Sequence, residues 1–580
     1  MNPAISKNSV AASLKAYVIL FFVTLMVALP GLSNLPVIDR DEARYTQASV
    51  QMAESGDYVN IRFQDRARNK KPAGVYWMQA AMIKTFSETG ERRLWAQRLP
   101  SVLGALIAVW ATYWGGLAFL NRRDALFSAL LLCVSFGLVF EAHIAKTDAL
   151  LCGVSALTLA SLLHMRKNPS RKYGILFWGA MGVGLMIKGP VILAIAVLCI
   201  LSLIVWERQV AWIKPLLYWA GPVLLLVLVL PWVIMIWKAT DGAFFNEAIG
   251  GDLGSKLGGA QEKHGGPIGY YAATLWVFFW PAGLFLPAAL VSIFQTLRKS
   301  KPQDLDEIIN DVSIDRATIE TGMIRLLICW AVPFFLLLEF IPTKLPHYPL
   351  PLYPALALLC GAAFQALGVS EHFKKSRRVG VVLYALFWGI ITLALLGAHF
   401  TYGPKSYWIL ALYFASGLAV VYACRALWKA HISRAVISAC ISAILLMVPS
   451  YAILLPSLTP LRIADQLVSK FQDLDITLPR RGGPNVLSPH FTEPSLIYHF
   501  GKQVRLGDQV DFDNPEQLSD GTVVLIDMTR ENSSHIKDTA SQAAVGQNLC
   551  LKSLGKVEGL NYSKGDLVEL AILQVGNCAK

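Results

Sequence analysis

A chain of 580 residues is long enough for several soluble domains, but with 55% apolar and only 16% charged residues it has too little polar surface to stay in water at that size. Its formal net charge of +13 does not mark a nucleic-acid-binding protein. The basic residues fall in short clusters between apolar runs rather than along one soluble face, so they report membrane topology and anionic-lipid contact.

Apolar runs of the length a helix needs to cross about 30 Å of hydrocarbon recur from the N-terminus onward. They lie near Ala16–Leu32, Leu99–Leu120, Asp124–Phe140, Ala149–Met165, Tyr173–Ile187, Val191–Trp206, Leu216–Trp237, Gly269–Phe294, Arg325–Ile341, Leu350–Leu367, Val379–His399, Tyr407–Cys424 and Ala435–Leu455. The first resembles a signal sequence, but Leu29-Pro30-Gly31-Leu32-Ser33 makes a poor cleavage site, so an uncleaved helix is expected. About 13 transmembrane helices place the two termini on opposite sides. Every second loop is basic, as at Arg122-Arg123, Arg166-Lys167, Arg298-Lys299 and Lys374-Lys375. Cytoplasmic loops retain such charge, so the N-terminus is read as cytoplasmic, and the 34–98 loop and everything after about residue 457 as periplasmic.

The 34–98 loop carries two polar clusters, Asp39-Arg40-Asp41-Glu42 with Arg44, and Lys70-Lys71-Pro72. Helical character is expected over Glu42–Glu54 and Val75–Phe86, the second lying in the headgroup layer, with turns near Asp57, Asn60 and Gly90. Asp41 is the leading candidate for a catalytic carboxylate. The competing account makes Asp39, Asp41 and Glu42 simple helix-start charges paired with Arg40 and Arg44.

Short outer loops should be poor in cations, yet Lys146, Lys188 and Lys344 all fall in them. Lys188 precedes Gly189-Pro190, where a helix should break beside a cavity. With Lys71, Arg62 and Arg93 these residues read as a clamp for phosphate or pyrophosphate, against the alternative of ordinary snorkelling side chains. Asp148 opens a span on the same face, either as a helix N-cap or as a second acid sharing a cavity with Asp41. His143, His264 and His347 face outward but lack any metal-ligand spacing, so metal ligation is left open and no cofactor is required. The acidic stretch Asp304–Glu320 is read as a solvated cytoplasmic linker or surface helix with no chemistry.

Past residue 457 the composition shifts to Gly, Asp, Asn and Ser around short β-type runs such as Thr522–Asp527 and Leu567–Leu573, a small periplasmic α/β domain. The chain thus divides into 1–456, transmembrane, and 457–580, soluble. Cys550 and Cys578 in the tail are either a disulfide or two thiols, since spacing does not test geometry.

Asp41-Glu42-Ala43-Arg44-Tyr45, Met52–Tyr58 and Lys71-Pro72-Ala73-Gly74-Val75-Tyr76-Trp77 together resemble the aminoarabinose transferase (ArnT) branch of the protein O-mannosyltransferase superfamily. The resemblance is densest over residues 38–80 and collinear through the rest. It implies a GT-C glycosyltransferase fold and a donor of undecaprenyl phosphate carrying 4-amino-4-deoxy-L-arabinose. It also implies lipid A phosphate as acceptor; a monomer in the bacterial inner membrane is expected. The family's first-loop aspartate falls on Asp41, its KP lysine on Lys71 and its arginine–tyrosine pair on Arg44-Tyr45. Asp148 fits a second acidic position, although Lys146-Thr147-Asp148-Ala149 departs from the expected Leu-Asp-Pro. The expected site is therefore Asp41 and Asp148 as catalytic acids, with Lys71, Arg44, Arg62, Lys188 and Lys344 on donor phosphate. Tyr45, Glu42, Tyr348 and His347 are expected to line the substrate.

In chemical terms a sugar on polyprenyl phosphate brings its own leaving group, so such a site must align an incoming oxygen and stabilise departing negative charge. One displacement at C1 predicts inversion. Two rivals stand beside this reading: a transferase for another sugar or for Ser/Thr hydroxyls, which needs a true general base, and a lipid transporter. The transporter should show half-to-half repeats, and none is visible.

Overall fold

The structure is a computed structural model that describes residues 7–88, 91–255, 265–299, 316–369, 373–404 and 406–578. Helices run through all thirteen apolar stretches. Among the described residues eight helices are long and apolar enough to cross a membrane, or nine if the bent pair Arg122–Cys133 and Phe136–Ala142 is one span. The number falls short of thirteen where cationic ends or breaks shorten the apolar window. Helix Arg171–Lys188 has Lys188 in its last turn, and the Gly269–Phe294 run is divided into Tyr270–Phe278 and Leu286–Lys299. Most of Asp304–Glu320, together with Gly90 and His264, lies outside the described residues.

The helices pack as two adjoining cores. One joins helix Lys7–Ala28 to Leu94–Gly116, Arg122–Cys133, Tyr353–Val369, Lys374–Tyr402, Trp408–Trp428 and Ile432–Pro449. The other joins Asp148–Lys167, Arg171–Lys188, Val191–Glu207 and Arg316–Phe340 to the two helices of the first outer loop. Helix Asp148–Lys167 lies along the middle, with 89% of its apolar window buried, whereas Ala220–Thr240, at 17%, faces lipid. Two glycines bring Asp148–Lys167 against Leu94–Gly116. A Cβ on Gly104 would fall 2.5 Å from the Leu150 nitrogen, and one on Gly153 would fall 2.5 Å from the Gly104 oxygen. Such small-residue contacts let helix backbones touch.

The bent pair turns by 57°. At the bend the Phe136 N–H is donated to the Trp280 carbonyl at 2.9 Å instead of to its own helix. The following turn delivers Glu141 and the 143–147 segment to the outer face.

The first outer loop folds as expected into helices Asp41–Ser55 and Gly74–Phe86, linked by a short antiparallel hairpin, β1 (Arg62–Phe63) and β2 (Arg66–Ala67). The Asp57 carboxylate accepts the N–H groups of Val59 and Asn60 and makes the turn between them.

The tail forms a five-stranded sheet of β3 (Val486–Ser488), β4 (Arg505–Leu506), β5 (Val523–Asp527), β6 (Leu549–Asn561) and β7 (Asp566–Asn577), in the order β4-β3-β5-β7-β6. The first three strands pair in parallel, and β7 pairs antiparallel to β5 and β6. In the β6–β7 register Cys550 faces Gly576. Cys578 is thereby brought beside Cys550, and the two form a disulfide with a Cα–Cα distance of 4.9 Å. The sheet edge docks on the first outer loop, where Gln64 Nε2 donates to the Val504 carbonyl at 2.6 Å.

Candidate active site

Asp41 is the first residue of helix Asp41–Ser55, where the helix N-terminus favours a carboxylate. It is exposed to solvent yet crowded. Crowding alone would raise its pKa, but the nearby charges of Lys146, Arg68 and Arg44 outweigh it and hold the carboxyl below the usual range. Arg68 is set by aromatic rings. Its Nε donates to the Tyr76 hydroxyl at 3.1 Å, and its guanidinium lies 5.2 Å above the Tyr45 ring, itself stacked on Tyr76 at 5.2 Å. Tyr45, expected to line the substrate, is instead only 4% exposed and shapes the seat of Arg68.

Lys146 links Asp41 to a second cluster. Its charge acts on Asp41, and its Nζ lies 3.1 Å from Glu141 Oε1 and 3.7 Å from Asp148 Oδ2. Burial would lower the pKa of this lysine, but Glu141, Asp148 and Asp41 raise it above its ordinary value, so it stays protonated. Lys188 Nζ sits 2.5 Å from Asp148 Oδ1 and 5.3 Å from the centre of the Tyr348 ring. His347 Nδ1 is 3.4 Å from Lys146 Nζ, and its Nε2 is 3.7 Å from Asp148 Oδ1. An ammonium only donates, so Nδ1 is the acceptor and the ring proton sits on Nε2, toward Asp148. Burial, reinforced by Lys146, lowers the His347 pKa to about 3, so the ring is neutral at neutral pH.

The structure therefore brings Asp41, Arg44, Lys146, Asp148, Lys188, Tyr348 and His347 together and adds Arg68 and Glu141. Lys71 lies half-buried in the turn before helix Gly74–Phe86, three residues beyond Arg68. Further expectations need correction. Glu42 does not line a substrate site. It is buried and takes Arg98 as a two-point fork at 2.8 and 2.9 Å, together with the N–H groups of Ile38 and Ala145. Arg98 spends its remaining donors on the carbonyls of Leu32, Leu35 and Pro36.

Lys344 is likewise buried, and its Nζ donates to the carbonyls of Glu339 at 2.7 Å and Leu338 at 3.3 Å, closing the end of helix Arg316–Phe340. The Glu339 side chain in turn accepts the N–H groups of Gly269, Tyr271 and Ala272 at the start of the earlier helix Tyr270–Phe278. Arg62 stands exposed on β1, where its charge acts on Asp57, and Arg93 is paired at the surface with Glu91 at 2.7 Å.

Of the residues added by the structure, Glu141 had a legible signal, because an ionisable side chain inside an apolar run marks function by default. Arg68 had none: in Arg66-Ala67-Arg68-Asn69-Lys70-Lys71 only the hairpin decides which cation turns inward. His143 bridges the Val139 and Pro30 carbonyls and stacks on Tyr451. Among the described residues no three His, Cys, Asp or Glu side chains are grouped to hold a metal ion.

A family model described as dolichyl-phosphate-mannose-protein mannosyltransferase matches residues 70–237. The chain is 26% identical over 388 residues to an undecaprenyl phosphate-alpha-4-amino-4-deoxy-L-arabinose arabinosyl transferase of Pectobacterium carotovorum, a match covering 66% of this chain and 64% of that protein. It is 26% identical over 446 residues to the second such transferase of Proteus mirabilis, covering 73% and 74%. In three dimensions it resembles ArnT from Cupriavidus metallidurans bound to undecaprenyl phosphate. That match has a TM-score of 0.69 and 18% identity, and covers 96% of this chain and 97% of the other. The apolar helices, the charged first outer loop, the sheet domain and these likenesses have one common account: the chain is similar in sequence to aminoarabinose transferases (ArnT) and shares their GT-C fold.

Proposed function

We propose that this protein transfers 4-amino-4-deoxy-L-arabinose from undecaprenyl phosphate to a phosphate of lipid A, at the periplasmic face of the bacterial inner membrane. The observation that carries the reading is the convergence of Asp41, exposed and held ionised, with Lys146, Arg68 and Arg44 beside the Asp148–Lys188 pair. The names of the similar arabinosyl transferases supply the sugar and the donor. The basic loops support a cytoplasmic N-terminus and a periplasmic sheet domain.

An acceptor phosphate oxygen attacks C1 of the sugar. As that bond forms, the C1–O bond to undecaprenyl phosphate breaks and its electron pair leaves on the phosphate, so the anomeric centre inverts. Asp41 orients the acceptor and takes its residual proton. Lys71, Lys188, Arg68 and Arg44 stabilise the charge that grows on the departing phosphate. The reaction requires no nucleotide, no metal and no second subunit on this reading.

The match of residues 70–237 to a protein mannosyltransferase model favours one alternative, a hydroxyl acceptor with Asp41 as full general base. Purified enzyme in liposomes with donor and lipid A decides between them by mass spectrometry. Gain of one aminoarabinose per phosphate is expected, and label on protein hydroxyls with unmodified lipid A would refute the reading. Activity that disappears in EDTA and returns with a divalent cation would refute its metal independence.

A further inference from the structure

We infer that the β6–β7 hairpin tip of the soluble domain is a positioning element for Asp41, acting through Asp39 and Arg40. The inference rests on the reading of Asp41 as the reacting carboxylate. The backbone just before Asp41 is unusual: Arg40 has φ +69° and ψ −98°, a conformation that non-glycine residues rarely adopt and that persists only when surroundings impose it.

Two sets of contacts impose it. From the membrane side Glu42, fixed by Arg98, accepts the Ile38 N–H at 2.8 Å. From the periplasmic side the hairpin tip takes the two residues between. The Tyr562 hydroxyl accepts the Asp39 N–H at 2.6 Å, and the Ser563 carbonyl accepts Arg40 Nη2 at 3.1 Å. The Asp39 carboxylate accepts the Ser495 N–H at 2.9 Å. The tip itself is braced, because Glu493 Oε1 accepts both Asn561 Nδ2 at 3.0 Å and Ser563 Oγ at 2.7 Å. Asp41 thus starts its helix between a clamp built into the bundle and one supplied from more than 500 residues further along the chain. Releasing the second lets residue 40 relax to negative φ and swings the carboxylate away from Lys146 and Arg68.

Two kinds of variant in the full-length enzyme test this. Arg40→Ala removes the guanidinium and keeps the backbone penalty, whereas Arg40→Gly removes the guanidinium and the penalty together. Turnover is expected to fall at least about tenfold for Arg40→Ala but within about threefold for Arg40→Gly, since small misplacements of a reacting group are costly. Replacing residues 562–565 by Asn-Gly keeps β6 and β7 joined through a two-residue turn and should lower turnover about as much as Arg40→Ala. In each the donor KM and the thermal midpoint should stay unchanged, which a merely structural contact would not predict.

Equal turnover in Arg40→Ala and Arg40→Gly, or normal turnover with the shortened hairpin, overturns the inference. Asp41→Asn, run in parallel, separates the two levels. If it is inactive while the hairpin variant works normally, only the positioning inference fails; if it is active, the reading beneath it fails.

Discussion

Two buried acid–base regions lie side by side on the outer face and are built differently. In the first, Glu42 and Arg98 meet as a planar fork, fully buried on both sides, with every remaining donor of Arg98 on a carbonyl of the 32–36 segment. In the second, Asp148, Glu141 and His347 are met by two lysines, Lys146 and Lys188, at distances from 2.5 to 3.7 Å. A guanidinium fork fixes direction and suits architecture, while an ammonium on a flexible stem is a point charge that can exchange partners. The opposite end of helix Asp148–Lys167 repeats the first pattern, where Arg166 binds Glu207 at 2.6 Å with Arg325 3.7 Å away. In these two pairs arginine ties helix to helix, whereas Lys146 and Lys188 share their charge among several acids; Lys344, which closes a helix end, is a structural lysine.

The largest effect expected from this division is on Asp41. Asp41→Asn should lower transfer about 10²- to 10⁴-fold, the range of general acid–base contributions, without loss of folded protein. Near-normal turnover would return Asp41 to a helix-start charge. Next is the fork itself. Arg98→Ala strands a buried carboxylate and should cost about 3–5 kcal/mol of stability, read as a lowered unfolding midpoint in detergent. Replacing both partners, Glu42→Leu with Arg98→Met, should recover most of it. If the double variant remains as unstable as the single one, the fork matters for more than pairing.

Lys188→Met should do the reverse of Arg98→Ala: a midpoint within about 1 kcal/mol, because Asp148 keeps Lys146, and a donor KM about tenfold higher, the size expected for one lost charge-assisted contact. A shift as large as that of Arg98→Ala would erase the distinction between the two regions.

The same comparison explains what sequence could tell. Apolar run length located the helices, and the change of composition near residue 457 located the sheet domain, because both are averages over many residues. Sequence favours Asp41 for catalysis but does not show the burial of Glu42, since neighbours on a helix point about 100° apart and which one faces inward depends on where Arg98 arrives. Lys146 and Lys344 looked alike as outer-loop cations. Only the helix end at Leu338 and Glu339 shows that Lys344 is committed to carbonyls. Arg62 and Arg68 exchanged roles through a hairpin whose register is not readable from RFQDRARNKK. The Cys550–Cys578 bridge likewise awaited the pairing of β6 with β7.

The smallest expected effect concerns how firmly the soluble domain holds the first loop. Burial, reinforced by Glu493 and Asp465 and partly offset by the Ser495 hydrogen bond, raises the Asp39 pKa to about 7 from an ordinary 3.8. The docked state therefore binds this proton more tightly than the undocked state. Docking is strongest below the undocked value and weakens as pH rises from about 4 to about 7, with no further change above. Amide exchange at residues 561–566, corrected for its intrinsic pH dependence, should rise across that window. Asp39→Asn carries no ionisable group, so its exchange should be flat there and close to the low-pH value of the parent. If the slope survives in Asp39→Asn, another group titrates, and the contact that senses pH lies within the soluble domain rather than at its seam with the first outer loop.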